Sequence, residues 1–322
     1  SPDSKIAVLP HEEGGLQAID MSNGRELQRF PNTGEDHPSL IFSGDGRRIA
    51  YMNPDGRLEV INSRTSRKIA EVSIPNNTTD LVMDMTGSRL AAISRNKVEL
   101  LNSTTGDRSV AALMHDLDVT TAAFDNSAIQ LITATMSGDI RIWDVLTGRE
   151  VAKWTTPVRL ASSIQFNPEG NLVLLGNERG RNAIIDIRTG ELMAEPSKGW
   201  SMSEDWKLIA IPDDRKSLSI MELGATESTR AIQVDKPSAT SFSSNSDRLV
   251  TADHLGHLQV WNLDSDTPSA ISIGQHPDKI TDVFFTNDDQ RVVAVSRSGA
   301  RLWSAKGLNQ IERIKLDDHQ LT

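Results

Sequence analysis

Hydrophobic and polar positions alternate over short stretches along the whole chain, and no stretch keeps a helical period. Two signals recur within this alternation. The first is a bulky apolar residue, then a small polar one, then a turn: Phe42-Ser43, Met83-Asp84, Phe124-Asp125, Phe166-Asn167, Met202-Ser203, Phe242-Ser243 and Phe285-Thr286. Five of the seven phenylalanines fall in this one slot, a concentration that chance placement does not produce. The residues that follow, such as Gly44-Asp45-Gly46, suit tight turns. The second signal closes a strand with an apolar–polar pair: Ile19-Asp20, Ile61-Asn62, Leu101-Asn102, Trp143-Asp144, Ile185-Asp186, Met221-Glu222, Trp261-Asn262 and Trp303-Ser304. Its polar members are 42, 40, 42, 42, 36, 40 and 42 residues apart.

An apolar run lies between the two signals of each unit, as in Arg48-Ile49-Ala50-Tyr51, and another follows the second, as in Lys68-Ile69-Ala70-Glu71-Val72. Each unit therefore reads as four short strands, a to d. Many short strands at even spacing predict an all-β repeat, and four strands in about 40 residues predict a propeller blade.

Ser137-Gly138-Asp139-Ile140-Arg141-Ile142-Trp143-Asp144 resembles the end of a WD40 repeat, and Ser1-Pro2-Asp3 and Asn167-Pro168-Glu169-Gly170 resemble that family's first hairpin turn. The resemblance is to a degenerate, bacterial-type array and covers the whole chain. It implies a β-propeller of four-stranded antiparallel blades. It also implies a buried hydrogen-bonded set inside a blade, matched by His115, Thr135 and Trp143 in the fourth unit and by His276, Ser296 and Trp303 in the last. Ser137 and Ser298 stand where the pattern has Asp, and in the seventh unit only Trp261 is clear. These His and Trp side chains are read as structural, because buried polar groups need partners.

Eight second signals against seven first ones predict eight blades in a single domain over residues 1–322. The first blade then lacks its inner strand, and residues 317–322 are the candidate to supply it. The alternatives are seven blades, the family's commoner number, or a segment of a longer array. A closed arrangement leaves no sheet edge open.

Composition narrows the function. The formal net charge of −10 argues against nucleic-acid binding, which runs on neutralising phosphates. No apolar run approaches the roughly 18 residues of a membrane span, so no membrane insertion is expected. The absence of cysteine excludes thiolate chemistry and cysteine zinc sites, and leaves the compartment open with the cytoplasm favoured. No G-x-S-x-G, H-E-x-x-H or P-loop is present. His254 and His257 flank a turn and read as a solvated hairpin rather than a metal site. No enzyme activity, cofactor or metal is expected.

Turns a–b and c–d collect acids (Asp45, Asp107, Asp125, Glu169, Glu191, Asp205, Asp247, Asp264, Asp266, Asp288 and Asp289), whereas turns b–c collect Arg57, Arg95, Arg179, Arg181, Arg215 and Arg297. The d–a loops, with Glu35, Asp36, Asp80, Asp116, Asp118, Asp317 and Asp318, soften that contrast. The resemblance implies that partners dock on the b–c and d–a side, at Pro54, Arg95, Met136, Arg179, Arg215, His254 and Arg297. Arg and Met are favoured at interface cores. The expected function is a non-catalytic protein-interaction scaffold, monomeric as a domain and a module of a larger protein, that takes a protein or peptide of some acidic character. A sensing propeller for a small molecule or modified peptide, and an enzyme with its site in the central channel, are the alternatives. Trp206, in a turn slot otherwise suited to glycine, is expected to tuck against a neighbour.

Overall fold

The computed structural model describes residues 1–11, 14–30, 40–53, 55–196, 199–212, 216–225, 230–265, 267–307 and 310–314. Among them every regular element is a β-strand, and the strands form eight antiparallel sheets in strict sequence order. Sheet 1 has three strands, Ile6–Pro10, Leu16–Asp20 and Glu26–Phe30. The other seven have four each and span residues 41–72, 80–114, 119–155, 163–194, 201–233, 237–275 and 280–314. The predicted strand Lys68–Val72 is present with those bounds. The segment proposed to complete sheet 1, 317–322, lies outside the described residues.

The a–b turns explain the first signal. In each, the amide of the polar residue bonds the carbonyl five positions on, as in Ser43 N to Arg48 O at 3.0 Å, and the amide three positions on bonds back, as in Gly46 N to Ser43 O at 2.9 Å. The residue giving that second amide is left-handed in all eight copies: Ser4, Gly46, Gly87, Ala128, Gly170, Trp206, Ser246 and Asp289 have φ between 53° and 72°. The Ser1 to Ile6 segment makes the same pair of contacts, Ser1 N to Ile6 O at 2.7 Å and Ser4 N to Ser1 O at 2.9 Å. It is an eighth a–b turn. Trp206 takes the strained slot at φ 57° and stands half-buried.

The second signal has a separate physical cause. In seven of the eight sheets its polar member caps the c–d turn through side-chain oxygen. Asn62 Oδ1 accepts the amides of Arg64 and Thr65 at 3.1 and 2.9 Å, and Asp144 Oδ1 accepts those of Leu146 and Thr147 at 3.1 and 2.8 Å. The next residue's amide then ties the c–d turn to the end of the a–b turn in every sheet, from Met21 N to Lys5 O at 2.9 Å to Ala305 N to Gln290 O at 2.9 Å. The two signals recur in step because they are bonded to each other.

The chain divides into two compact units. One comprises Ser1–Arg179 with Ala183–Leu192, and the other comprises Gly180–Asn182 with Met193–Thr322. The core of each lies between sheets rather than within one. In the first unit, Leu58 and Val60 of sheet 2 pack with Leu81 and Leu90 of sheet 3, and Ile132 and Ile140 of sheet 4 pack with Val173 and Ile185 of sheet 5. In the second, Val250 and Val260 of sheet 7 pack with Val283 and Val292 of sheet 8. Strands buried on both faces read as near-continuous apolar runs, which is why strands b and c do so here.

An arginine strap reinforces three of these junctions. Arg48, Arg89 and Arg248 each open a strand b and donate to the left-handed residue of the next a–b turn: Gly87 O at 3.0 Å, Ala128 O at 3.3 Å and Asp289 O at 2.9 Å. The stems of these arginines are half-buried, so the contact joins packing to a charge-assisted bond.

Candidate functional site

The buried set of sheet 4 is a Trp–Thr–His chain. Trp143 Nε1 donates to Thr133 Oγ1 at 3.0 Å, and His115 Nε2 lies 2.8 Å from the same oxygen. The two rings pack edge-on with centroids 5.2 Å apart. Thr133, not the expected Thr135, is therefore the linking hydroxyl. On strand b, positions 131, 133 and 135 face the same side, and Thr133 is the one that pairs opposite Arg141, within reach of the indole. Thr135 instead meets Ser137 Oγ at 3.0 Å and Asp139 O at 3.2 Å.

Sheet 7 repeats the Trp–Thr pair, with Trp261 Nε1 donating to Thr251 Oγ1 at 3.0 Å. Sheet 8 does not, because Ala294 occupies the register position of Thr133. There His276 lies 5.9 Å from the Trp303 ring and its Nδ1 accepts the Asp278 amide at 3.0 Å. Ser296, expected to join them, bonds Ser298 Oγ and Gly299 O.

Burial and the nearby Arg141 guanidinium push the His115 pKa down to about 4. The folded chain keeps this ring neutral, whereas the unfolded chain protonates it near 6.5. His115 therefore contributes its full stability above pH 6.5 and loses it as the pH falls from there towards 4. The expected loss between pH 7 and pH 5 is about 2 kcal/mol. Thermal unfolding of the wild type and of His115→Gln at both pH values checks this, since the variant should lose less on acidification.

The b–c turns and d–a loops are joined by hydrogen bonds, three of them backbone to backbone, into one edge across sheets 3 to 5. Val119 N reaches Arg95 O at 2.8 Å, Met136 N reaches Asp118 O at 3.0 Å, Leu160 N reaches Met136 O at 3.3 Å, and Asn177 Nδ2 reaches Arg159 O at 2.9 Å. Gly138 makes this possible. It sits at φ 94°, and a Cβ there would stand 2.6 Å from Thr156 O.

Three large apolar side chains stand out from this edge: Leu117 and Met136 are each 44% exposed and Leu160 is 47% exposed. Leu160 also holds a left-handed φ of 53°. Arg95, Arg159 and Arg179 are exposed around them, and none has an ion-pair partner among the described residues. Asp118 adds one exposed acid, while Asp116 is already paired with Arg141.

In the second unit, Arg297 is exposed on its b–c turn and His254 is half-buried, with Nδ1 3.3 Å from Asp235 O. His257 pairs with Asp253 at 2.8 Å. Pro54 and Arg215 lie outside the described residues. Not every b–c arginine is free: Arg57 pairs with Glu71 at 3.3 Å. Among the described residues no three His, Asp or Glu side chains are grouped to hold a metal.

Several acids of the other edge are taken up by the turns. Asp45 accepts Ser43 Oγ at 2.6 Å and Arg47 N at 3.0 Å, Asp205 accepts Ser203 Oγ at 2.7 Å, Asp288 accepts Thr286 Oγ at 2.6 Å, and Asp289 accepts the Ser244 amide at 3.1 Å. Hydrogen bonds from Thr286 hold the Asp288 carboxyl below the ordinary carboxylate range. The contrast between the edges is thus one of employment as well as of sign.

Residues 108–144, which run through the first three strands of sheet 4, match the family described as WD domain, G-beta repeat. The C-terminal WD40 domain of Sif2 superposes with a TM-score of 0.50 at 16% identity, over 72% of this chain and 70% of that one. The chain has the β-propeller fold of that domain, and residues 108–144 carry a WD40 repeat. Its eight sheets are the propeller's blades. Two relatives also match the chain. Telomerase protein component 1 of Mus musculus is 23% identical over 70% of the chain, and ribosome biogenesis protein ERB1 of Candida glabrata is 32% identical over 23% of it. The propeller spans about a tenth of the length of these curated relatives, 9% and 10%.

Proposed function

We propose that this propeller is a non-catalytic docking module of a larger protein, and that it receives an acidic protein segment bearing apolar side chains on the b–c and d–a edge of blades 3 to 5. The observation that carries this reading is the exposed group Leu117, Met136 and Leu160 beside the unpaired Arg95, Arg159 and Arg179. Apolar side chains held out by hydrogen-bonded loops lose little conformational freedom on binding. Met adapts to irregular surfaces, and Arg adds forked donors for carboxylates. A patch of this kind on a protein surface marks an interaction site. One matched relative is by name a protein component of telomerase, which fits a module that joins a larger assembly.

The test is comparative capture. The chain is immobilised as wild type, as Arg95→Glu/Arg179→Glu, and as Arg67→Glu/Arg149→Glu on the c–d turns. Partners held by the wild type should fall at least tenfold on the first variant and remain on the second, since each lost charge-assisted contact costs about 1.5–3 kcal/mol. Equal recovery on all three baits refutes the assignment of this edge.

A further inference from the structure

A cleft of about 470 Å³ opens on the a–b and c–d side of blade 1 and reaches the c–d turn of blade 2. Its walls carry three cations, Lys5, Arg25 and Arg64, against one lining acid, Asp20. Its floor is apolar, formed by Ile6, Met21 and Leu27.

The cations differ in their attachments. Arg64 donates from Nη2 to Asp3 Oδ2 at 3.1 Å, which fixes its guanidinium at the rim, and its other N–H groups have no partner among the described residues. Lys5 lies 3.9 Å from the same carboxylate and is exposed. Arg25 has no ion-pair partner among the described residues. Asp20 is committed to its turn, accepting Ser22 N at 2.9 Å and Ser22 Oγ at 2.6 Å. Counting Asp3 as well, the rim keeps one positive charge in excess on a chain whose net charge is −10.

The apolar floor is a departure from the repeat. Met21 is 60% exposed, whereas the residues in its position in the next four blades, Ser63, Ser103, Val145 and Ile187, are buried. Those four blades close this slot; blade 1 presents a flexible thioether to the cleft.

We propose that this cleft binds a small amphipathic anion, a carboxylate or phosphate head on an apolar body of about eight carbons. The head sits between Lys5, Arg25 and the free side of Arg64, and the body lies along Met21, Leu27 and Ile6. The volume is that of an ordinary small-ligand site. Guanidinium forks match both carboxylate and phosphate oxygens. An inorganic anion gains only the rim, whereas an amphiphile gains the floor as well. This site is separate from the docking edge and does not depend on it.

The intact chain is titrated by calorimetry with sodium octanoate, octyl phosphate and inorganic phosphate. Saturable binding of at least one amphiphile is expected, at least tenfold tighter than inorganic phosphate. Lys5→Ala/Arg25→Ala should weaken it at least tenfold, and so should Met21→Asp, with thermal transitions unchanged because all three side chains are exposed. Tighter binding of octyl phosphate assigns the head as phosphate, and equal affinities show that a carboxylate suffices; both support the site. No saturable binding by either amphiphile, unchanged affinity in Lys5→Ala/Arg25→Ala, or inorganic phosphate binding as tightly as octyl phosphate overturns it.

Discussion

Thr133→Val lowers the stability of the unit that contains blade 4 by about 3 kcal/mol. Valine keeps the shape and the strand preference, so packing is barely disturbed. What disappears is the oxygen shared by Trp143 Nε1 and His115 Nε2. Both groups belong to side chains that are almost wholly buried, and water cannot replace the lost partner. Each stranded group costs about 1–3 kcal/mol. In a unit of this size the loss corresponds to a fall in Tm of roughly 10 °C. Thr133→Ser, which keeps the oxygen, should recover most of it, and Thr135→Val should cost less than 1 kcal/mol. If Thr133→Val and Thr135→Val lower Tm equally, the Trp–Thr–His chain is not the structural link described.

The second large effect is expected at Gly138. An added methyl group would meet Thr156 O at 2.6 Å and Val158 O at 3.3 Å, and φ 94° is poorly suited to any side chain. Neither obstacle is a flexible side-chain end; both are backbone. Gly138→Ala must therefore shift the 156–161 loop and weaken the 2.8 Å bond from Thr156 N to Gly138 O. The cost is about 2–3 kcal/mol from strain and the lost bond. The same movement displaces Leu160 relative to Met136, so partner affinity should fall with stability. Gly180→Ala is the matched control: it also has positive φ, 74°, but an added methyl group meets nothing within 4 Å. Unfolding curves and partner titrations of the two variants separate strain alone from strain with a backbone clash.

The repeat was legible because its two signals do local work that only certain residues can do. Small polar residues such as Ser43 and Asp84 occupy the first slot because the a–b turn needs an acceptor there, and Asn62 and Asp144 occupy the second because the c–d turn needs a side-chain cap. Such requirements print themselves on the chain at fixed spacing. The eighth turn at Ser1–Ile6 followed from the same logic.

The interior set was legible only in part. The sequence alone favours Thr135, two positions too far along the strand, since both threonines point the same way. A regularity corrects it: Thr133 and Thr251 both lie ten residues before their tryptophan. Ala294 shows that blade 8 lacks this hydroxyl, which the apparent match of His276, Ser296 and Trp303 conceals. The arginine straps also carry a spacing signal, six residues after Phe42, Met83 and Phe242.

The candidate edge was the least legible. Arg95, Met136 and Arg179 are recognisable through their turn positions, but nothing local distinguishes Leu117 and Leu160 from buried leucines. Their exposure depends on loops brought together by bonds from Met136 N to Asp118 O and from Leu160 N to Met136 O. The acid count of the opposite edge is visible in sequence, while its cause is not. A carboxylate that caps a turn and one that meets a partner look identical until the hydrogen bonds are seen.

The central claim is that partners dock on the b–c and d–a edge of blades 3 to 5. Amide hydrogen exchange of the chain, free and saturated with a partner recovered by the wild-type bait, tests it most directly. Docking at this edge predicts slowed exchange in residues 114–119, 136–138 and 158–161, with the c–d turns at 103–106 and 145–148 unchanged. Protection confined to those c–d turns, or none in the three predicted segments, would contradict it.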